Sequence, residues 1–257
     1  MSAVDAIVLT GGSVFGLDAV TGVVDYLEQQ HQGAMVGNWC IPIVPAAVLF
    51  DLNVGNGAVR PDRAMGFTAA ASSSKDAVRA GNYGVGCGAT VGKLGGMRHA
   101  MKGGIGSASR SFENGLVIGA FAAVNALGDV YSPASNRKLA GRRDDATEVD
   151  FDSPTSNTTL AVVGANVKLT KAEASVVARM AQDGLARTIR PSHTTRDGDV
   201  VFAVGTGDLT VDIDLYGSVA AELVAESIIA AVLKAWTFGD TVAHSDVCDA
   251  PLCDHVQ

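Results

Sequence analysis

The pattern that most constrains this chain is the alternation of short apolar runs with amphipathic stretches, joined at glycines. Residues 4–9 read as a buried strand, and Thr10-Gly11-Gly12-Ser13 turns that strand into a helix over about residues 15–30. Residues 41–49 are apolar but carry Pro42 and Pro45, which restricts them to an edge or an irregular extended segment. Pro61 suits the first turn of a helix over 62–79. Residues 81–106 are glycine-dense without a sustained period, the pattern of a long structured loop. Residues 116–124 and 129–132 read as a strand pair around 125–128, and 138–154 as an exposed polar linker. Beyond it 159–163 is a strand, and Thr170-Lys171-Ala172-Glu173 is a capping box opening a helix to about Arg187. Residues 200–204 and 209–213 form another strand pair across 205–208. Residues 216–236 are amphipathic, with Val219, Leu223, Ile228 and Val232 inward and Glu222 and Glu226 outward. Strands and helices in this order predict an α/β sandwich.

Composition narrows the class. A chain of 257 residues makes one large domain or two small ones. Its 47% apolar and 18% charged residues exclude a disordered, solvating polymer. Glycine, at 30 residues, is well above the usual ~7%. The net charge is −8 with no block of like charges, which argues against nucleic acid as the partner. Four cysteines are too few for a disulfide scaffold at this length. The uncharged apolar runs near 39–50 and 115–127 fall short of the ~20 residues that span a bilayer. With no signal-peptide pattern at the start, the expectation is a cytoplasmic protein with no membrane partner.

Several familiar signatures fail on inspection. In GCGATVGK (86–93) five residues, not four, separate Gly86 from Gly92, and Leu94 replaces the magnesium-binding hydroxyl of a phosphate loop. Phe15 stands where a nucleophile elbow around Ser13 needs its second glycine. Ser72-Ser73-Ser74-Lys75 fits S-x-x-K, a match that polar stretches produce by chance. His244, Cys248, Cys253 and His255 have no zinc-site spacing, so no metal is expected.

A more productive set lies elsewhere. Asn157-Thr158-Thr159 falls where the polar linker meets a strand, so Thr158 sits at a strand entrance. Cutting the Asn157–Thr158 bond would give Thr158 a free α-amine, with a pKa of ~7.7–8 suited to deprotonating its own hydroxyl. On these three residues alone, a plain strand start is much the commoner reading. Lys93 follows a glycine loop and could reach a cleft, where a cation near that amine would keep it neutral and basic. Asn125, at a strand end, offers an amide donor for an oxyanion, or simply a turn. Asp197 and Asp199 precede a strand and could orient a hydroxyl or amine, or cap a turn.

Five segments together resemble the L-aminopeptidase/D-esterase-amidase family and its relative, the nylon-oligomer (6-aminohexanoate-oligomer) endohydrolases. They are VDAIVLTGGSVFGL (4–17), GATVGK (88–93), KGGIGSASR (102–110), NTTLAVV (157–163) and RPSHTTRDGDVVFAV (190–204). The resemblance covers residues 4–236 and leaves 237–257 as a divergent tail. It implies a four-layer αββα sandwich of the N-terminal-nucleophile-hydrolase type, one domain over 1–236. It also implies self-cleavage at Asn157–Thr158 into chains 1–157 and 158–257 that stay together. Thr158 matches the nucleophile, Lys93 the active-site lysine and Asn125 the oxyanion asparagine; Asp197 and Asp199 match carboxylates around the nucleophile that assist cleavage. Phe50 stands where nylon-hydrolase relatives carry a tyrosine, which leaves it a substrate-binding position without a hydroxyl.

The implied activity is hydrolysis of amide bonds in small peptides or peptide-like amides and esters. It needs no cofactor and is carried out by a homo-oligomer of αβ heterodimers. Family members carry further strands ahead of the segment matching Val4, so this front is expected to be shortened. Two alternatives stay open: an unprocessed, non-catalytic structural or binding descendant of the fold, and an amino-acid acyltransferase.

Overall fold

The strand that begins at Thr158 organises the molecule. In the computed structural model, which describes residues 3–143 and 157–247, β-branched and small apolar residues in TTLAVVGANV form a ten-residue strand buried along most of its length. In chain order the elements are β1 (Val8–Thr10), α1 (Asp18–Gln29), β2 (Ala34–Val36), β3 (Trp39–Ile41), β4 (Ala46–Val48) and α2 (Arg63–Ala71). Next come β5 (Thr90–Val91), β6 (Met101–Lys102), β7 (Gly104–Ser111), β8 (Val117–Asn125), β9 (Asp129–Tyr131) and β10 (Lys138–Ala140). Then follow β11 (Thr158–Val167), α3 (Lys171–Ala181), α4 (Asp183–Thr188), β12 (Ile189–Arg190), β13 (Val200–Leu209), α5 (Ile213–Leu233) and α6 (His244–Val247).

The main sheet has the order β13-β11-β8-β7, with β13 parallel to β11 and the other pairs antiparallel. Helices α3, α4 and α5 cover one face, where Ile118, Val163, Val177, Leu185, Leu223 and Ile228 share one core. On the other face lies the parallel pair β1–β4, with Leu9 and Ala47 packed on Leu49, Ile105, Ala123 and Leu160. Outside that pair come α1 and α2. The layering is αββα, with a second β layer of two three-residue strands. Leu160 is fully buried; truncating such a leucine typically costs about 2–5 kcal/mol.

Where sequence and structure differ, local chemistry explains it. The expected hairpin over 200–213 is instead one continuous strand, β13, running parallel to β11. Gly205 and Gly207 are not turn residues there. They let β13 press against the Val167 and Asn166 carbonyls where the β11 register shifts. Strands β8 and β9 do not pair with each other but lie in different sheets, β9 between β10 and β12. Asn125 is accordingly the last residue of a central strand rather than a turn residue. Part of the supposed linker is β10, with Leu139 and Ala140 buried; residues 144–154 of it lie outside the described residues.

The glycine-dense segment over 81–106 is no surface loop. It holds β5, β6 and three short 3-10 turns, much of it buried. Residues 4–7 stay outside β1, and α1 is preceded by a 3-10 turn. Helix α2 starts after Asp62, whose carboxylate accepts from Met65 N at 2.8 Å, and stops at Ala71. There Ser72 turns its hydroxyl back onto the Thr68 carbonyl at 2.7 Å, a competing local bond that favours an end. The capping box at Thr170–Glu173 forms as expected, although a break at Gln182 divides its helix into α3 and α4. The 21 residues of α5 are long and apolar enough to cross a membrane, but two thirds of its most apolar window is buried inside the protein.

Helices α1 and α2 touch backbone to backbone: a Cβ on Gly22 would strike the Arg63 carbonyl, and one on Gly66 the Ala19 carbonyl. Gly66→Val should therefore force the pair apart, at the ~1–3 kcal/mol typical of overpacking. Thermal unfolding should show a drop of about 2–4 °C per kcal/mol; an unchanged midpoint would mean the two helices do not support the fold.

Candidate active site

Strand register assembles the site. Thr158, first residue of β11, lies opposite Asn125, last residue of β8. Asn157, one residue earlier, bridges to Asp197 on the other side. Thus β8 and the turn ahead of β13 flank the Asn157–Thr158 bond. The Asn157 carbonyl oxygen accepts from Thr158 Oγ1 at 2.6 Å and from Gly198 N at 2.8 Å. Asn157 and Thr158 are both buried.

Asn125 is held at every polar atom. Its Oδ1 accepts from Lys93 Nζ at 2.7 Å and from Thr90 N at 3.0 Å, and its Nδ2 donates to the Phe50 carbonyl at 2.9 Å. Lys93 Nζ also donates to the Asn125 backbone carbonyl at 2.9 Å. The lysine, expected to reach a cleft from its glycine loop, does turn inward: it is 2% exposed, in a short 3-10 turn. Burial lowers its pKa to about 7 against the opposing pull of Asp197 and Asp51, with Lys102 lowering it further. In the intact chain its amine therefore fixes the asparagine.

The two carboxylates brace the backbone around the Asn157–Thr158 bond. Asp199 Oδ1 accepts from Thr159 N at 2.8 Å, and its Oδ2 lies 3.0 Å from His193 Nδ1. Burial raises the Asp199 pKa, helped by the nearby Asp197 charge; the Thr159 amide and His193 oppose the rise. Asp197 Oδ2 accepts from Thr194 N at 3.0 Å and Thr194 Oγ1 at 2.6 Å. Phe50 lines a small cleft together with Asp51, Thr90, Lys93 and Met97.

Four residues that sequence reasoning passed over belong to this constellation. Thr90 supplies the amide on Asn125, and His193 pairs with Asp199. Lys102 is fully buried, donates to the Cys87 and Ala89 carbonyls at 2.8 Å each, and has its pKa lowered by burial to about 8. Asp51 Oδ1 accepts from Gly12 N at 2.7 Å and fills space that a Cβ on Gly11 or Gly88 would need. Thr90, Lys102 and His193 sit inside the motifs quoted above, and Asp51 directly follows Phe50. Ser72 and Ser74 bond only locally on the surface, as chance matches do. Among the described residues no group of three His, Cys, Asp or Glu could hold a metal; Cys248, Cys253 and His255 lie outside the described residues.

Lys93 has a folded-state pKa of about 7 against an ordinary 10.5. Between those values the unfolded chain holds a proton that the folded chain has released, so stability rises with pH across that window. The unfolding midpoint should climb from pH 7 to pH 9.5, and Lys93→Met should flatten the climb, leaving the part above about pH 8 that Lys102 contributes. An equally steep climb in the variant would contradict this assignment.

Residues 2–245 match peptidase family S58. An uncharacterized aminopeptidase of Mycobacterium tuberculosis is 37% identical over 265 residues, covering 90% of this chain and 75% of that protein. A 6-aminohexanoate-oligomer endohydrolase of Paenarthrobacter ureafaciens is 28% identical over 255 residues, covering 88% of this chain and 71% of that one. Among solved structures, the L-aminopeptidase D-Ala-esterase/amidase of Ochrobactrum anthropi, a variant of the Ntn hydrolase fold, superposes with a TM-score of 0.64. It is 20% identical, over 90% of this chain and 69% of that one. A Burkholderia β-aminopeptidase superposes with a TM-score of 0.59 at 24% identity, over 85% of this chain; here the chain spans 65%, less than two thirds, of its length. The fold is thus that of the Ntn-type aminopeptidases, and the chain belongs to peptidase family S58.

Proposed function

We propose that this chain is an amide-bond hydrolase that cuts itself between Asn157 and Thr158 and then uses Thr158 as its N-terminal nucleophile. The observation that carries this reading is the contact between the Thr158 hydroxyl and the Asn157 carbonyl, 2.6 Å apart at a buried strand entrance. Oγ1 attacks the Asn157 carbonyl carbon, the C–N bond breaks, and the hydroxyl proton passes to the departing nitrogen. Water then hydrolyses the resulting ester and frees both the hydroxyl and the α-amine.

In the processed enzyme that amine, with a pKa of ~7.7–8, takes the Thr158 hydroxyl proton as the hydroxyl attacks substrate. Asn125 is clamped by Lys93 and Thr90, with one amide hydrogen on the Phe50 carbonyl, and offers its second amide hydrogen to the oxyanion of the bound substrate. Asp199 and Asp197 keep the backbone on either side of Thr158 in register. The leaving amine departs, and water releases the acyl group. Phe50 supplies an apolar wall of the cleft beside Lys93. Small peptides or peptide-like amides and esters fit both the aminopeptidase and the oligomer-hydrolase names of the relatives. The reading includes a cytoplasmic homo-oligomer of αβ heterodimers.

Intact-mass spectrometry tests it directly. The purified protein should resolve into pieces of 157 and 100 residues, and Thr158→Ala should stay a single chain. Hydrolysis of amino-acid p-nitroanilides should fall at least ~100-fold in that variant, the scale of losing an activated nucleophile and its base. An unaltered chain that never cleaves would defeat the proposal in favour of an unprocessed binding protein. Product formed with an added amine acceptor in preference to water would point to acyl transfer.

A further inference from the structure

We infer that the backbone N–H of Gly198 is the oxyanion donor for the self-cleavage step, a device separate from the Asn125 side chain that serves external substrates. This rests on the self-processing reading above and specifies its chemistry. When Thr158 Oγ1 adds to the Asn157 carbonyl, the new C–O bond pushes the π electrons onto the carbonyl oxygen. The intermediate collapses by breaking the C–N bond, and the hydroxyl proton ends on the Thr158 nitrogen. In that intermediate Oγ1 has lost its proton and can no longer donate to the oxygen it touches in the intact chain.

Gly198 N still can. It already lies 2.8 Å from the Asn157 carbonyl oxygen of the intact chain; working donors stand ~2.7–3.1 Å from where the oxyanion will be, and this oxygen shifts only slightly as its carbon becomes tetrahedral. Asn125 is committed elsewhere: turning its amide toward Asn157 would disrupt the bonds to Lys93, Thr90 and Phe50.

The donor is also preorganised. Asp197 closes the turn ahead of it, accepting from Thr194 N and Oγ1, while Asp197 N donates to the Thr194 carbonyl at 3.1 Å. Asn157 Nδ2 reaches the Arg196 carbonyl at 3.4 Å, and the Asn157–Asp197 bridge holds the two segments side by side. Residue type matters too. A Cβ at position 198 would lie 3.1 Å from Thr158 Oγ1, crowding the nucleophile. A fixed dipole aimed at developing charge needs no reorganisation during reaction, which is the source of its effect.

The test removes one hydrogen. Glycolic acid is incorporated at position 198 of the full chain by cell-free translation, converting the amide N–H to an ester oxygen and leaving the side chain unchanged. The same replacement at Gly115, whose N–H donates to Phe112 O in the remote β7–β8 turn, controls for loss of one backbone hydrogen bond. Mass spectra over time should show cleavage slowed ~100-fold or more at position 198, the scale for one oxyanion donor, and within twofold of the unmodified chain at position 115. Cleavage at position 198 within twofold of the unmodified chain overturns the inference while leaving self-processing intact. An unmodified chain that never cleaves removes the processing reading itself. A second measurement needs no altered backbone: in uncleaved Thr158→Ala, the Gly198 amide should be protected from hydrogen exchange at least ~100-fold. Exchange at the rate of an open-loop amide overturns the inference independently.

Discussion

A lysine amine buried almost completely must either lose its proton or find oxygens that stand in for water. Lys93 does part of each, with its pKa brought to about 7 and both the backbone and side-chain oxygens of Asn125 within bonding distance. That arrangement requires β8 to end where it does. Leu127 O accepts from Lys93 N and Gly128 O from Gly92 N, so the segment leaving β8 fastens the backbone of the lysine turn. The antiparallel pairing of β8 with β11 then sets Thr158 opposite Asn125. A one-residue slip of that register would turn the side chains at the site to the opposite face of the sheet.

The opposite flank of β11 is built on different physics. There a parallel strand, β13, is approached through a tight turn whose carboxylates accept backbone amides. Burial raises the Asp199 pKa, and the charge of Asp197 in the same turn adds to the rise. The Thr159 amide and His193 offset it. His193 is more than one third exposed, whereas the Asp199 side chain it faces is buried. The Thr159 amide, on a fully buried residue, is the support that solvent does not reach.

Much of this was legible in the residues. The strand entrance at Thr158, the capping box at Thr170 and the inward face of α5 followed from local pattern, and they hold because local and tertiary preferences agree there. The family motifs brought Thr158, Lys93, Asp197 and Asp199 to attention, and the strand end brought Asn125; the five do meet in space. Pairing was harder to read. Gly205–Asp208 carries the composition of a hairpin turn, yet its glycines serve a close backbone approach that depends on a strand forty residues earlier. That Lys93 could reach a cleft was legible from the glycines before it, but nothing local shows that Asn125, thirty-two residues on, would receive its amine. Gly198 carries no side chain to notice; its contribution is an amide whose direction only the folded turn defines.

The balance of charge under the site explains why Lys102 and Asp51 belong to it although neither touches Thr158. Burial is the largest cause of the lowered pKa of both buried lysines, Lys93 and Lys102. Asp197 and Asp51 oppose the shift at Lys93, where Lys102 adds to it, and Cys87 and Asp51 oppose it at Lys102. Lys102 also bonds the Cys87 and Ala89 carbonyls, immediately before the Thr90 amide that fixes Asn125. Asp51 follows Phe50, whose carbonyl holds the other end of the same asparagine, and locks onto the Gly12 amide. The Asn125 amide is therefore gripped from two loops, one anchored by the buried Lys102 and the other by the half-buried Asp51. Its orientation depends on both anchors, so a change at Lys102 or Asp51 should reach the Asn125 amide without altering Thr158.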